Sequence, residues 1–274
     1  MATRAEPDRD QYGRYKLPEP ETKELKAWTR ATTIASTLGN TWALEAWKMR
    51  QVARGIARYP SLRAKLVGID PMQATLAPHE KKLLNEVCQE AMDRVGSSDK
   101  ADVGTSIHAM CEQLDLGERE IADYPEEFHG DLVAYTGGLA AHEVTILPDW
   151  VERIVINPEI GSAGTLDRIV AYGGGTYIAD IKTGSLDFSL LDISIQLSIY
   201  ANAVGAWTGE GYEPLPDVSK TDALVLHLPA GKANFSLWVI DIAYGWEQAK
   251  LSRDVRLIQK EKPGFKIELE GAKV

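Results

Sequence analysis

Gly161-Ser-Ala-Gly164-Thr-Leu-Asp167-Arg-Ile-Val-Ala-Tyr172-Gly-Gly-Gly175-Thr-Tyr-Ile-Ala-Asp180-Ile-Lys182-Thr-Gly184 decides how this chain is read. β-Branched and aromatic residues alternate on both sides of a glycine run, the pattern of two antiparallel strands joined by a tight turn. A two-residue turn at Gly173 and Gly174 pairs Tyr172 with Gly175 and, counted back along both strands, sets Asp167 opposite Asp180. Side chains alternate along a strand, so Lys182 and Ile178 share the face of Asp180 while Ala179 and Ile181 point the other way. One small area thus gathers two carboxylates and an ammonium.

Facing carboxylates repel unless a proton or a cation lies between them. A divalent metal is the natural partner, and hard oxygen ligands suit Mg²⁺ or Mn²⁺. Lys182 could then orient or deprotonate an attacking water, or stabilise charge in the transition state. The plainer alternative is an exposed Asp180–Lys182 ion pair with Asp167 in a solvated position. Two further pairs have one-turn helical spacing. His108 and Glu112 stand beside an apolar stripe of Ile107, Met110, Cys111 and Leu114, and Gln196 and Tyr200 lie on the helix after the hairpin. Each pair alone is commonplace, the first as a surface ion pair.

The segments around the hairpin place it. Residues 1–22, with Pro7, Pro18 and Pro20 among charges, read as an irregular arm. Residues 23–98 read as a helical region, in which Trp42, Leu44, Trp47, Met49, Val52 and Ile56 recur at helical spacing until Pro60, and a second helix follows Pro78. Gly96-Ser97-Ser98-Asp99 marks a boundary, and 99–274 form the second unit. There, helices are expected over about 104–116, 126–142, 186–207 and 244–258, and strands over 151–156, 164–172, 176–183, 223–229 and 235–241. This order describes an α/β core with a mixed central sheet flanked by helices.

Composition narrows the function. Forty acidic against thirty basic side chains give a net charge of −10, which argues against coating nucleic acid by bulk attraction. The charge is unevenly spread: residues 23–66 carry +7 and residues 101–160 carry −11. Such a split suits a protein that holds a polyanion on one side and metal cations on the other. Arg50, Arg54 and Arg58 repeat every four residues and would form one helical stripe, either tracking a DNA backbone or facing solvent. No apolar run is long enough for a membrane span, the charged first ten residues lead to the expectation of no secretory leader, and Cys88 and Cys111 fit a reducing, cytoplasmic setting. No Gly-x-x-x-x-Gly-Lys-Ser/Thr loop supports ATP-driven activity.

Gly104-Thr-x-x-His108, Gly164-x-x-Asp167, Asp180-x-Lys182-Thr-Gly184 and Gln196-x-x-x-Tyr200 occur in an order that resembles the PD-(D/E)XK nuclease superfamily. The closest branch is the RecB-like exonucleases, which include phage-encoded and CRISPR-associated members. The resemblance covers about residues 101–245, and its specificity lies in the whole constellation. It implies a restriction-endonuclease-like core in which His108, Asp167, Asp180 and the Ile181 carbonyl ligate Mg²⁺ or Mn²⁺. It also implies that Lys182 is the catalytic lysine, and that Gln196 and Tyr200 hold DNA or the geometry of the site. Glu152 is read as structural, with an outer-sphere metal role as the other option. Iron–sulfur members of the branch use four cysteines; with two, no cluster is expected. The expected activity is a metal-dependent DNA exonuclease in recombination, repair or processing, in a bacterial or phage-infected cell, alongside a recombination or replication protein. The alternative is a catalytically inactive DNA-binding or recombination-partner module on the same fold. Oligomeric state is left open.

Overall fold

The computed structural model describes residues 6–261 apart from Pro71, Ser98 and Phe188, together with the backbone but not the side chains of 99–101. Ser98 of the expected boundary, and residues 1–5 and 262–274, therefore lie outside the described residues.

The chain begins with β1 (Tyr15–Pro18) and β2 (Leu25–Arg30), an antiparallel pair in the segment expected to be an arm and the start of a helix. Trp28 explains why a strand forms there. It is 1% exposed, and its indole Nε1–H donates to the Leu17 carbonyl at 2.9 Å. Burying so large a ring outweighs the local polar and proline content. The short α1 (Ala31–Ala35) leads to α2 (Trp42–Arg58), α3 (Pro60–Lys65) and α4 (Pro78–Arg94), where the apolar spacing predicted helices. α2–α4 pack around Leu62, Val87 and Ala91.

α5 (Asp99–Asp115) and α6 (Glu126–Ala141) precede β3 (Thr145–Ile146), β4 (Arg153–Asn157), β5 (Ser162–Leu166), β6 (Arg168–Tyr172) and β7 (Gly175–Lys182). α7 (Leu190–Ala201), β8 (Gly205–Trp207), β9 (Tyr212–Glu213), β10 (Asp222–His227), β11 (Ser236–Asp241) and α8 (Ile242–Lys260) complete the described chain. The helix expected over 186–207 is shorter than its apolar run. Its last residues, Gly205–Trp207, form a strand instead, in which Gly205 and Ala206 pair with β4.

The architecture is α/β with mixed sheets. One sheet has the order β1-β2-β5-β4-β8-β9 and the other β11-β10-β7-β6-β3, with β2–β5 and β7–β10 parallel. The single strand expected over 164–172 is in fact two, divided at Asp167 between the two sheets. Asp167 leaves the strand ladder: its carbonyl accepts from Glu152 N at 2.7 Å and its Oδ2 from Ile181 N at 3.0 Å. Helices cover both faces of the second sheet. Ile169, Ile178, Val225 and Ile240 pack with α1, α7 and α8, while Val170, Ala179, Ile181 and Leu224 pack with α5 and α6. No helix among the described residues is long and apolar enough to cross a membrane.

Candidate active site

The turn forms where the glycine run predicts it. Gly173 and Gly174 have φ of +54° and +80°, left-handed conformations that glycine adopts without steric cost. The register then runs from Tyr172 with Gly175 to Arg168 with Ala179, which brings Asp167 level with Asp180. Asp180 is 1% exposed, and Lys182 Nζ lies 2.7 Å from its Oδ2. That Oδ2 is sealed from solvent with the ammonium against it. An exposed ion pair, the plainer alternative from sequence, is not what forms.

α5 brings His108 to the same place, with Nδ1 3.5 Å from Asp167 Oδ2 and a backbone hydrogen-bond contact with Ile181. The helix can approach because residue 104 is glycine: a Cβ there would stand 2.5 Å from Thr183 Oγ1. Gly164 serves the other face, where a Cβ would meet the Tyr200 ring at 2.7 Å. Both motif glycines are thus explained by close packing around the end of β7.

Burial shapes the charges. It lowers the His108 pKa to about 4, with the Asp180 charge opposing and Arg168 adding to the fall, so the imidazole is neutral near pH 7. Burial, then the nearby Asp167 charge, pushes Asp180 above the ordinary carboxylate range despite Lys182 and His108. Burial works against the Lys182 charge, but Asp180 and Asp167 outweigh it and the pKa rises.

The residue after Asp167 is one that sequence reasoning missed. Arg168 is fully buried. Its Nε donates to Asp115 Oδ2 at 2.7 Å, and its Nη1 lies 3.9 Å from Asp167 Oδ2. Tyr135 donates its hydroxyl to the same Asp115 carboxylate at 2.9 Å. A signal was present: Ile107, Cys111 and Asp115 repeat every four residues, so Asp115 is an acid on the apolar stripe and needs a buried partner.

A cavity of about 440 Å³ opens beside these groups, lined by Gly104, His108, Glu112, Glu152, Asp167 and Thr183 among others. Glu112 and Glu152, read from sequence as a surface partner and a structural acid, therefore both face the site. Tyr200 does not reach it. The ring is 2% exposed and its hydroxyl accepts from Gln196 Nε2 at 3.2 Å. Of the two roles the resemblance implies for Tyr200, holding DNA or holding the geometry of the site, its burial among the apolar residues of α7 fits the second. Arg50, Arg54 and Arg58 are exposed on α2, which packs on α3 and α4, and none of them lines the cavity.

The donor set of neutral imidazole, two carboxylates and a backbone carbonyl is the chemistry a hard divalent cation requires, and buried Asp180 Oδ2 has the Lys182 ammonium as its neighbour. Among the described residues, no three His, Cys, Asp or Glu side chains already stand in a ready-made ligand arrangement. Asp167 is turned onto Ile181 N and Asp180 onto Lys182. No family model matches the chain, and no curated protein does.

Proposed function

We propose that the chain is a metal-dependent deoxyribonuclease with a restriction-endonuclease-like core of the RecB-like PD-(D/E)XK branch, acting as an exonuclease in DNA recombination, repair or processing. The observation that carries this reading is the β6–β7 register, which levels Asp167 with Asp180 and seats Lys182 against Asp180. One buried carboxylate and one partly exposed carboxylate beside an imidazole and a lysine, at the end of a parallel strand pair, suit phosphodiester hydrolysis better than structural packing.

His108, Asp167, Asp180 and the Ile181 carbonyl would hold Mg²⁺ or Mn²⁺. When bound, such a cation polarises the scissile phosphate and lowers the pKa of water. Lys182 brings a positive charge to the oxygens on which negative charge grows. Arg168 holds Asp167 by charge from behind, and Asp115 and Tyr135 hold Arg168. Glu112 and Glu152 give the cavity further acceptors for ordered water.

A polymeric substrate is supported by the continuity of the surface. The cavity shares Glu112 and Glu152 with one neighbouring cavity, which carries Arg9 and Arg153, and shares Thr183 with another. Digestion of 5′- and 3′-labelled linear DNA and of circular DNA, with Mg²⁺, Mn²⁺ or chelator, tests the reading. Linear DNA should be degraded with either metal and circular DNA spared. No cleavage with either metal, or cleavage unaffected by chelator, would overturn it.

A further inference from the structure

The cavity that continues past Thr183 has a volume of about 890 Å³ and is mostly apolar, walled by Leu186, Pro229, Ala230 and Trp238, with Asp187 and Lys232 on its rim. Beyond its continuity with the site, nothing described so far gives it a role. Its position relative to the site is fixed by strand register. Asp180 pairs with Val225, and Val225 with Trp238; in the next row on the same face, Lys182 pairs with His227, and His227 with Ser236. Trp238 therefore shares the sheet face of Asp180 at two strand spacings, about 10 Å. Thr183 lines both cavities.

The groove is rigidly built. Leu228 N donates to the Lys182 carbonyl at 2.9 Å and Ala230 N to the Thr183 carbonyl at 3.1 Å, so one wall extends from the backbone of the site itself. Asp131, 3% exposed, accepts from Gly231 N at 2.7 Å and Ala233 N at 2.8 Å, which pins the loop carrying Lys232. Trp238 Nε1 donates to Ser236 Oγ at 2.9 Å, and His227 Nε2 is 2.9 Å from the Gly184 carbonyl. The indole edge is thereby tied down while the residue stays 46% exposed. A held aromatic ring in an apolar groove, with a lysine on the rim, has the composition of a stacking platform for single-stranded nucleic acid.

We propose that this groove is a nucleobase subsite, in which an unpaired base next to the scissile phosphate stacks on Trp238 while Lys232 meets the backbone. Asp187, an anion at the groove, disfavours phosphate there and leaves the backbone to Lys232. The proposal rests on the nuclease reading and narrows its substrate to DNA with a single-stranded end at the site. Every base has a π-face, so the subsite selects strandedness and not sequence.

The test is a binding titration of fluorescein-labelled oligo(dT) in chelator, using the full chain and the variants W238A, W238L and W238F, each checked for folding by circular dichroism and melting temperature. V239A, on the opposite face of β11, is the control. W238A and W238L should lose about tenfold in affinity, W238F should recover part of it, and V239A should bind as the parent does. A single abasic position should weaken parent binding at one place along the oligonucleotide and have no further effect on W238A. Failure of the parent to bind oligo(dT), or equal binding by parent and W238A, would overturn the subsite. Absence of metal-dependent cleavage by the parent is a separate result that overturns the nuclease reading. Cleavage together with Trp238-independent binding leaves that reading intact and removes only the subsite.

Discussion

At the end of β7 the charged side chains are sealed in: Arg168 and Asp180 are at most 1% exposed, and each is held within 2.7 Å of an opposite charge. On α2 the arrangement is reversed. Arg50, Arg54 and Arg58 face solvent, with Arg54 on Gln51 and Arg58 over the Tyr59 ring, while Trp42 and Met49 are 74% and 67% exposed. The α2–α4 layer has a core of three buried side chains, whereas the sheet is covered on both faces. A charge held out of water is effective only if its partners fix it, so the first region is sensitive to single atoms. The second acts through its summed field, and any one of its charges can be lost cheaply.

The sharpest way to break this contrast is Asp115→Ala, which strands the Arg168 guanidinium in the core. Loss of one partner from such a pair costs about 3–5 kcal/mol, and urea unfolding should show it. A change under 1 kcal/mol would mean that Arg168 is not held as described. Gly104→Ala is next. Its methyl must displace Thr183, at about 1–3 kcal/mol, and should weaken metal-dependent activity more than it lowers stability by moving His108. Equal activity in the variant would contradict the close packing of α5 on β7.

Asp180→Asn gives a pH-dependent effect in chelator. The folded-state pKa of Asp180 is raised above 3.8, so its contribution to stability is fully present below that pH and is lost as pH rises through the folded value. The variant should therefore melt higher than the parent at pH 8, on the order of a few degrees, with the gap closing in acid. A variant less stable than the parent at pH 8 would show that the Lys182 pair outweighs burial. The smallest effect on the fold belongs to neutralising Arg50, Arg54 and Arg58 together. Stability should change by less than about 0.5 kcal/mol for each. If the stripe tracks DNA, the log–log salt slope of binding should flatten by up to about 3; an unchanged slope assigns it to solvent.

The same contrast explains what the sequence disclosed. Gly173 and Gly174 have a local conformational requirement, so the hairpin, its register and the level placement of Asp167 and Asp180 were legible. The helices after Thr41 and Ala77 were legible from their spacing and from Pro60 and Pro78. What was lost depends on distant partners. β1 and β2 form because Trp28 is buried and β2 joins β5, which no pattern within residues 15–30 announces. Gly205–Trp207 continues an apolar run and leaves the helix only because β4 offers an edge. Glu152 faces the cavity through a backbone turn with φ of +52°, and Arg168 reads like any strand arginine until Asp115 is seen beside it.

The central claim, that Asp167, Asp180 and Lys182 form one hydrolytic site, is tested most directly by single-turnover cleavage of a labelled linear DNA with saturating Mn²⁺. Parent, Asp167→Asn, Asp180→Asn and Lys182→Ala should be compared at matched folded fractions. Each variant should fall by about 10²-fold or more while its melting temperature shows a folded chain, and chelator should stop the parent completely. Cleavage by all three variants at the parental rate would contradict the claim.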